Sequence, residues 1–161
     1  MSEEQVKRAE GFFADRANCA QSVYAGLMVD GKLSDAERMA LALPFGGGVA
    51  GQGEVCGALT GALLAMGESR GPAVAAAADP QAARQAFYAD ARKLTEEFRR
   101  RHGAIHCREL TGCAMDTAEG RKSYQERGLH ESFCTRLVSF SVAKASSYLE
   151  EKKQVEDDTE K

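Results

Sequence analysis

Five cysteines, Cys19, Cys56, Cys107, Cys113 and Cys134, are the side chains of this sequence best suited to chemistry. A thiolate can attack a disulfide, bind a soft metal or join an iron–sulfur cluster. No two of them have the C-x-x-C spacing of a zinc knuckle or a thioredoxin-like motif, so spacing alone does not choose among these. Their local settings say more. Cys19, Cys56, Cys107 and Cys134 each fall at or near an expected helix start, with a glycine or capping residue close by. In a helical bundle, four such positions can converge on one end of the core. Cys113, after Gly112 in an expected loop, looks least constrained and is left out of the site. The competing reading is that each cysteine is a small buried hydrophobe, which for any single one is at least as common.

The stretch "FGGGVAGQGEVCGALTGALLAMG", residues 45 to 67, surrounds Cys56 with glycine. Gly46, Gly47, Gly48, Gly51 and Gly53 are too many for one turn. They are expected to supply positive φ and inward-facing N–H groups. Beside a helix N-terminus such groups favour an anion. The lysine and Ser/Thr of a phosphate-binding P-loop are missing, which leaves the Cys56 thiolate as the anion at hand. Its pKa is then expected to be lowered and Cys56 to be the nucleophile. Gly57 and Gly61 share one helix face and admit either a helix or a ligand close to the backbone. Gly47, Gly48, Gly57 and Gly61 are the backbone positions expected to lie against a cofactor.

His102 and His106, at a helical i, i+4 spacing, could join Cys107 in part of a metal site. At the end of "EFRRR" the preferred reading is interaction with a helix dipole. His130 is expected at the surface. Arg99, Arg100 and Arg101 read as a solvated helix end able to dock an acidic redox partner. No Ser/His/Asp triad or isolated carboxylate pair stands out.

The elements positioning these residues are helical. Periodicity predicts an all-α bundle of about five helices with a glycine-rich loop. The first starts near Glu3 and presents Val6, Ala9 and Phe13. Asn18 and Gln21 form a capping box that opens a second helix, stopped by Gly31. One continuous helix from Glu3 to Val29 remains an alternative. Ser34 and Glu37 form a second capping box, before a short helix ending ahead of Pro44. A helix from about Glu54 to Met66 leads to a connector broken at Gly71 and Pro72. Asp79 and Pro80 start a long helix that buries Ala83, Phe87, Ala91, Leu94 and Phe98 and stops at Gly103. One turn follows from His106 to Leu110, and a last helix runs from about Glu131 to Glu150. Residues 1–150 are read as a single domain, and 151–161 as a charged, disordered tail.

The 161 residues suffice for one hydrophobic core. Lys and Arg total 21 against 24 Asp and Glu, interspersed throughout, which argues against a nucleic-acid surface. The charged opening "MSEEQVKRAEGFF" lacks an export signal's apolar run, and "GALTGALLAMG" is too short to span a bilayer. The expectation is a cytoplasmic protein without membrane insertion, in which permanent structural disulfides are uncommon.

Together, "NCAQSV", "GGG", "CGALTGALLAMG", "HCRELTG" and "FCTRLVSFSV" resemble the bacterial and archaeal C_GCAxxG_C_C family, labelled redox-active, over about Asn18 to Leu149. By that resemblance the four family cysteines correspond to Cys19, Cys56, Cys107 and Cys134, and the C-G-A-x-x-G motif to Cys56, Gly57, Ala58 and Gly61. A similar domain occurs in split-Soret cytochromes, where an iron–sulfur centre accompanies the haems. The resemblance therefore implies an iron–sulfur cluster on the four cysteines and an electron-transfer role with an unidentified redox partner. Covalent haem is not expected, since there is no C-x-x-C-H. The alternatives are a metal-free thiol–disulfide oxidoreductase or redox sensor using Cys56, and a helical interaction protein whose cysteines only pack.

Overall fold

The structure is a computed structural model that describes residues 2–29 and 31–159, with side chains up to residue 150. The chain is all-α, with eight α-helices among the described residues rather than about five. They are α1 (Ser2–Ala14), α2 (Cys19–Leu27), α3 (Asp35–Ala42), α4 (Gly57–Ala76), α5 (Pro80–His102), α6 (Cys107–Thr111), α7 (Ala118–Glu126) and α8 (Thr135–Thr159). A 3₁₀ turn, Leu43–Phe45, follows α3, and a π turn, His130–Cys134, leads into α8. No described helix is long and apolar enough to cross a membrane.

The centre of the bundle is the short helix α2, packed against α1, α3, α4 and α8. Its sequence is apolar nearly all round, and Ala20 and Ser22 through Leu27 are all buried. A helix with no polar face belongs inside. Two glycines let α4 reach it. A methyl at Gly61 would stand 2.5 Å from the Ala20 carbonyl oxygen, and one at Gly57 would stand 2.9 Å from the Phe45 carbonyl oxygen. No side chain fits at either place.

Both capping boxes are present, with Asn18 and Gln21 closing the start of α2 and Ser34 and Glu37 that of α3. Asp79 caps α5, and Gly103 ends it in a left-handed conformation. Other boundaries differ from expectation. α2 ends at Leu27 rather than at Gly31. α4 continues through Gly71 and Pro72 to Ala76 instead of breaking there. Proline removes one donor, but the alanine-rich stretch after it has the best helix propensity. Tertiary pairs hold the flanking turns. Buried Arg38 grips Glu68 through Nε and Nη2 at 2.8 and 2.7 Å and the Met28 carbonyl at 2.9 Å. Arg70 pairs with Asp90 of α5 at 3.0 Å.

α7 was not expected, and the π turn replaces the anticipated start of the last helix at Glu131. The backbone of α8 runs on to Thr159. The tail expected over 151–161 otherwise lies outside the residues whose side chains are described.

The close α2–α4 contact makes a direct prediction. Gly61→Ala should destabilise the fold by about 1–3 kcal/mol through overpacking against backbone. Gly67→Ala, on the same helix with nothing within 4 Å of the added methyl, should stabilise it by about 0.5–1 kcal/mol. Urea denaturation of both variants checks the pair.

Candidate functional site

Each of the four expected cysteines is delivered by a different element. Cys19 is the first residue of α2, just after the Asn18 cap. Cys56 is the residue before α4, and Cys107 opens α6. The segments carrying these two are tied by a single antiparallel bridge, Val55 to His106. On one side of it the Cys56 N–H donates to the Ile105 carbonyl at 2.8 Å, and on the other the Cys107 N–H donates to the Glu54 carbonyl at 2.7 Å. Cys134 closes the π turn ahead of α8. Such local widening of a helix re-aims the side chains within it. Cys56 and Cys134 are buried, whereas Cys19 and Cys107 are part-exposed.

The glycines bring these segments together. A methyl at Gly57 would meet the Cys19 Cβ at 3.3 Å, and one at Gly48 would meet the Cys107 Cβ at 2.9 Å. Gly61 packs against Ala20 and Val23, and Gly47 against the Cα of Gly51. The loop itself is a left-handed turn. Gly47, Gly48, Val49, Ala50 and Gly51 have φ of 62°, 70°, 59°, 53° and 79°. The amides expected to face inward from its later half are consumed by the loop itself. Ala50, Gly51, Gln52, Gly53 and Glu54 donate to the carbonyls of Pro44, Gly46, Val49, Gly47 and Gly48.

The sulfurs act on one another. The Cys19 thiol donates to the Cys134 sulfur, which lowers Cys134 against the opposing effect of burial; the Tyr124 hydroxyl, also donating, lowers it further. The same contact raises Cys19 well above the ordinary thiol range, with burial and the charges of Cys56, Cys134 and Cys107 adding to it. Burial pushes Cys56 up to about 12, although the amides of Ala58 and Leu59 pull the other way and the Cys107 charge raises it. That corrects the expectation of a lowered Cys56: excluding water from the sulfur outweighs the helix N-terminus. Burial and the Cys134 charge push Cys107 up to about 11. The sulfur most biased toward thiolate is Cys134.

Tyr124, which the sequence did not single out, is the site's phenol. Burial raises its pKa, and so do its contact with Cys134 and the charges of Cys19 and Cys107. It lies on α7, a helix whose polar composition and early Gly120 hide it from pattern reading.

Cys113 is not the loose residue expected. It is 1% exposed, its sulfur donates to the Thr111 carbonyl at 3.5 Å, and Arg127 Nη1 donates to that sulfur at 3.5 Å. His106 faces Glu109, 2.9 Å away. His102 packs on Phe98 and Phe140, with ring centroids 4.7 and 4.8 Å apart. His130 stacks on Phe13 at 3.9 Å instead of standing clear at the surface. Among the described residues, no three His, Cys, Asp or Glu side chains are grouped closely enough to hold a metal ion as they stand.

A family model described as "Putative redox-active protein (C_GCAxxG_C_C)" matches residues 17–148. The chain belongs to that family. The C_GCAxxG_C_C label spells Gly-Cys-Ala, whereas this member has Cys56, Gly57 and Ala58 in that order ahead of Gly61. No match was found among curated proteins or among solved structures.

The raised thiols couple the site to stability. Cys56 moves from the ordinary 9.0 to about 12 on folding, so between those values the folded protein keeps a proton that the unfolded chain has released. The contribution is complete below about pH 9 and is lost as pH rises toward 12. Urea midpoints measured across that range should fall with pH, and the fall should be shallower in Cys56→Ser.

Proposed function

We propose that this member of the family is a redox protein in which Cys19 and Cys134 cycle between dithiol and disulfide. The observation that carries the reading is the contact of these two sulfurs, with Cys134 biased toward thiolate and Cys19 toward thiol. Such a pair divides the work of a thiol–disulfide centre: the thiolate attacks, and the neighbouring thiol completes the exchange. With a small disulfide as oxidant, both S–H bonds are lost and one S–S bond forms between Cys19 and Cys134. The electron pair cleaves the external disulfide to two thiols, which take up the two protons. Cys56 and Cys107 stay in their raised, protonated forms alongside.

A four-thiolate iron–sulfur centre is the second reading. It is favoured because Cys19 feels the charges of the other three sulfurs, Cys56, Cys134 and Cys107. Crowded thiolates without a positive partner repel, and a metal relieves that repulsion. The donor set fits such a cluster by chemistry, though no three of its members yet stand at ligand spacing. Cys19, Cys56, Cys107 and Cys134 would hold it, and it would supply electron transfer. The protein's own part would be to exclude water from Cys56 and Cys134 and to donate hydrogen bonds to sulfur.

Incubation of the metal-free protein with oxidised glutathione, followed by peptide mapping, should yield a Cys19–Cys134 disulfide that Cys134→Ser abolishes. Disulfides confined to other cysteines would contradict the dithiol reading. Stoichiometric iron with visible absorbance after anaerobic purification, lost on replacing any of the four cysteines, would establish the second reading instead.

A further inference from the structure

We propose that the end of the bundle remote from the cysteines carries a second binding site, for a small molecule joining an apolar body to an ammonium group. The site is a cavity of about 870 Å³, within the size range in which proteins hold small ligands. Its walls come from the start of α1, the end of α2, the second half of α4, residues 146–150 of α8 and the connector at 31–33. Ser146 lies about 18 Å along the chain of α8 from Cys134, and no cysteine lines the cavity.

Most of the lining is apolar: Leu27, Met28, Val29, Leu33, Pro72 and Leu149. Val29, which an apolar ligand would cover, is 52% exposed.

The polar groups specify the head group, through a count of protons. The Gln5 amide nitrogen donates to the Leu27 carbonyl at 2.6 Å, which leaves the amide oxygen facing Ser146. That oxygen can only accept. The Ser146 hydroxyl therefore gives it its single proton, at 2.7 Å. Glu150 Oε1 lies 3.3 Å from the same hydroxyl oxygen. A carboxylate also only accepts, so no proton remains to join these two atoms. Gln5 and Ser146 are 8% and 1% exposed, too buried to turn to water instead. What this wall lacks is a donor.

It also lacks positive charge. Glu68 is matched by Arg38, which donates to it through Nε and Nη2 at 2.8 and 2.7 Å. The other charged lining residues are Glu4, Glu150 and Lys32, two carboxylates to one ammonium. A ligand ammonium would supply both the donor and the charge, and such charge-assisted bonds are the strong ones. A ligand carboxylate would meet acceptors and like charge.

Isothermal titration of the full-length, reduced protein at pH 7 with decylammonium, decanol and decanoate, each below its micelle concentration, tests the assignment. Decylammonium should bind one per chain and about tenfold more tightly than decanoate, with decanol between them. Glu150→Gln keeps the side chain's size and removes its charge. It should weaken decylammonium about tenfold and leave decanol unchanged. Methyl NMR spectra of the wild type should shift at Leu27, Met28 and Leu149 on adding decylammonium, while Ala58, beside Cys56, stays in place. One affinity for all three probes, a preference for decanoate, no saturable binding, or shifts centred on Ala58 would overturn the proposal. So would wild-type affinity for decylammonium in a Glu150→Gln protein that circular dichroism shows to be folded. The wild-type probe series and spectra decide the matter even if that variant is unstable.

Discussion

The close approach of α4 to α2 is the constraint from which the rest of the site follows. Gly57 and Gly61 present bare backbone to Ala20, so the start of one helix lies against the start of the other, with Cys19 and Cys56 on either side of the contact. A residue with a side chain at either glycine would push the helices apart and separate those sulfurs. The bridge between Val55 and His106 then ties the third cysteine segment to the second. Helix α8 packs on both α2 and α4 and brings Cys134 with it. The cysteines themselves need no special spacing in sequence, because the packing of backbone supplies their arrangement.

Water exclusion and hydrogen bonding then give chemically similar thiols different characters. Cys56 stands at a helix N-terminus, yet burial dominates and keeps it protonated. Cys134 is also buried, but two donors, Cys19 and Tyr124, favour its charged form. The difference between them is the number of side-chain donors aimed at sulfur, not distance from a helix end. The loop above them carries a local cost. Val49 and Ala50 hold the left-handed conformation without being glycine, which costs roughly 1–2 kcal/mol each. The hydrogen bonds from Ala50 through Glu54 back into residues 44–49 offset that strain and hold Gly48 against Cys107. Strained backbone clusters where the surroundings over-determine it, and here the surroundings are the cysteine segments.

Much of the fold was legible because its signals are local. The capping boxes at Asn18 and Ser34, the Asp79–Pro80 start and the Gly103 stop each depend on residues within a single turn. Pro72 misled because distant partners decide its fate: the ion pairs of Glu68 with Arg38 and of Arg70 with Asp90 secure the helix around it. α7 escaped notice because its inward face offers a glycine and a single tyrosine rather than an apolar stripe. Around the proposed site, the helix-start settings of Cys19, Cys56 and Cys107 were legible in the sequence. The individual characters of the cysteines were not, because burial and the Tyr124 hydroxyl arise only when separate elements pack. Cys113 shows the same limit, since nothing in "LTGCAM" announces that Arg127 will cover its sulfur.

The central proposal is spatial: sulfurs far apart in the chain act on one another, with Cys19 and Cys134 in contact. A crystal structure of the reduced, metal-free protein, with sulfur positions located by anomalous scattering, measures this directly. The account predicts the Cys19 and Cys134 sulfurs touching, the Tyr124 hydroxyl on Cys134, and Cys56 and Cys107 bordering the same pocket. Sulfurs lodged in separate parts of the core, with Tyr124 turned to solvent, would contradict it.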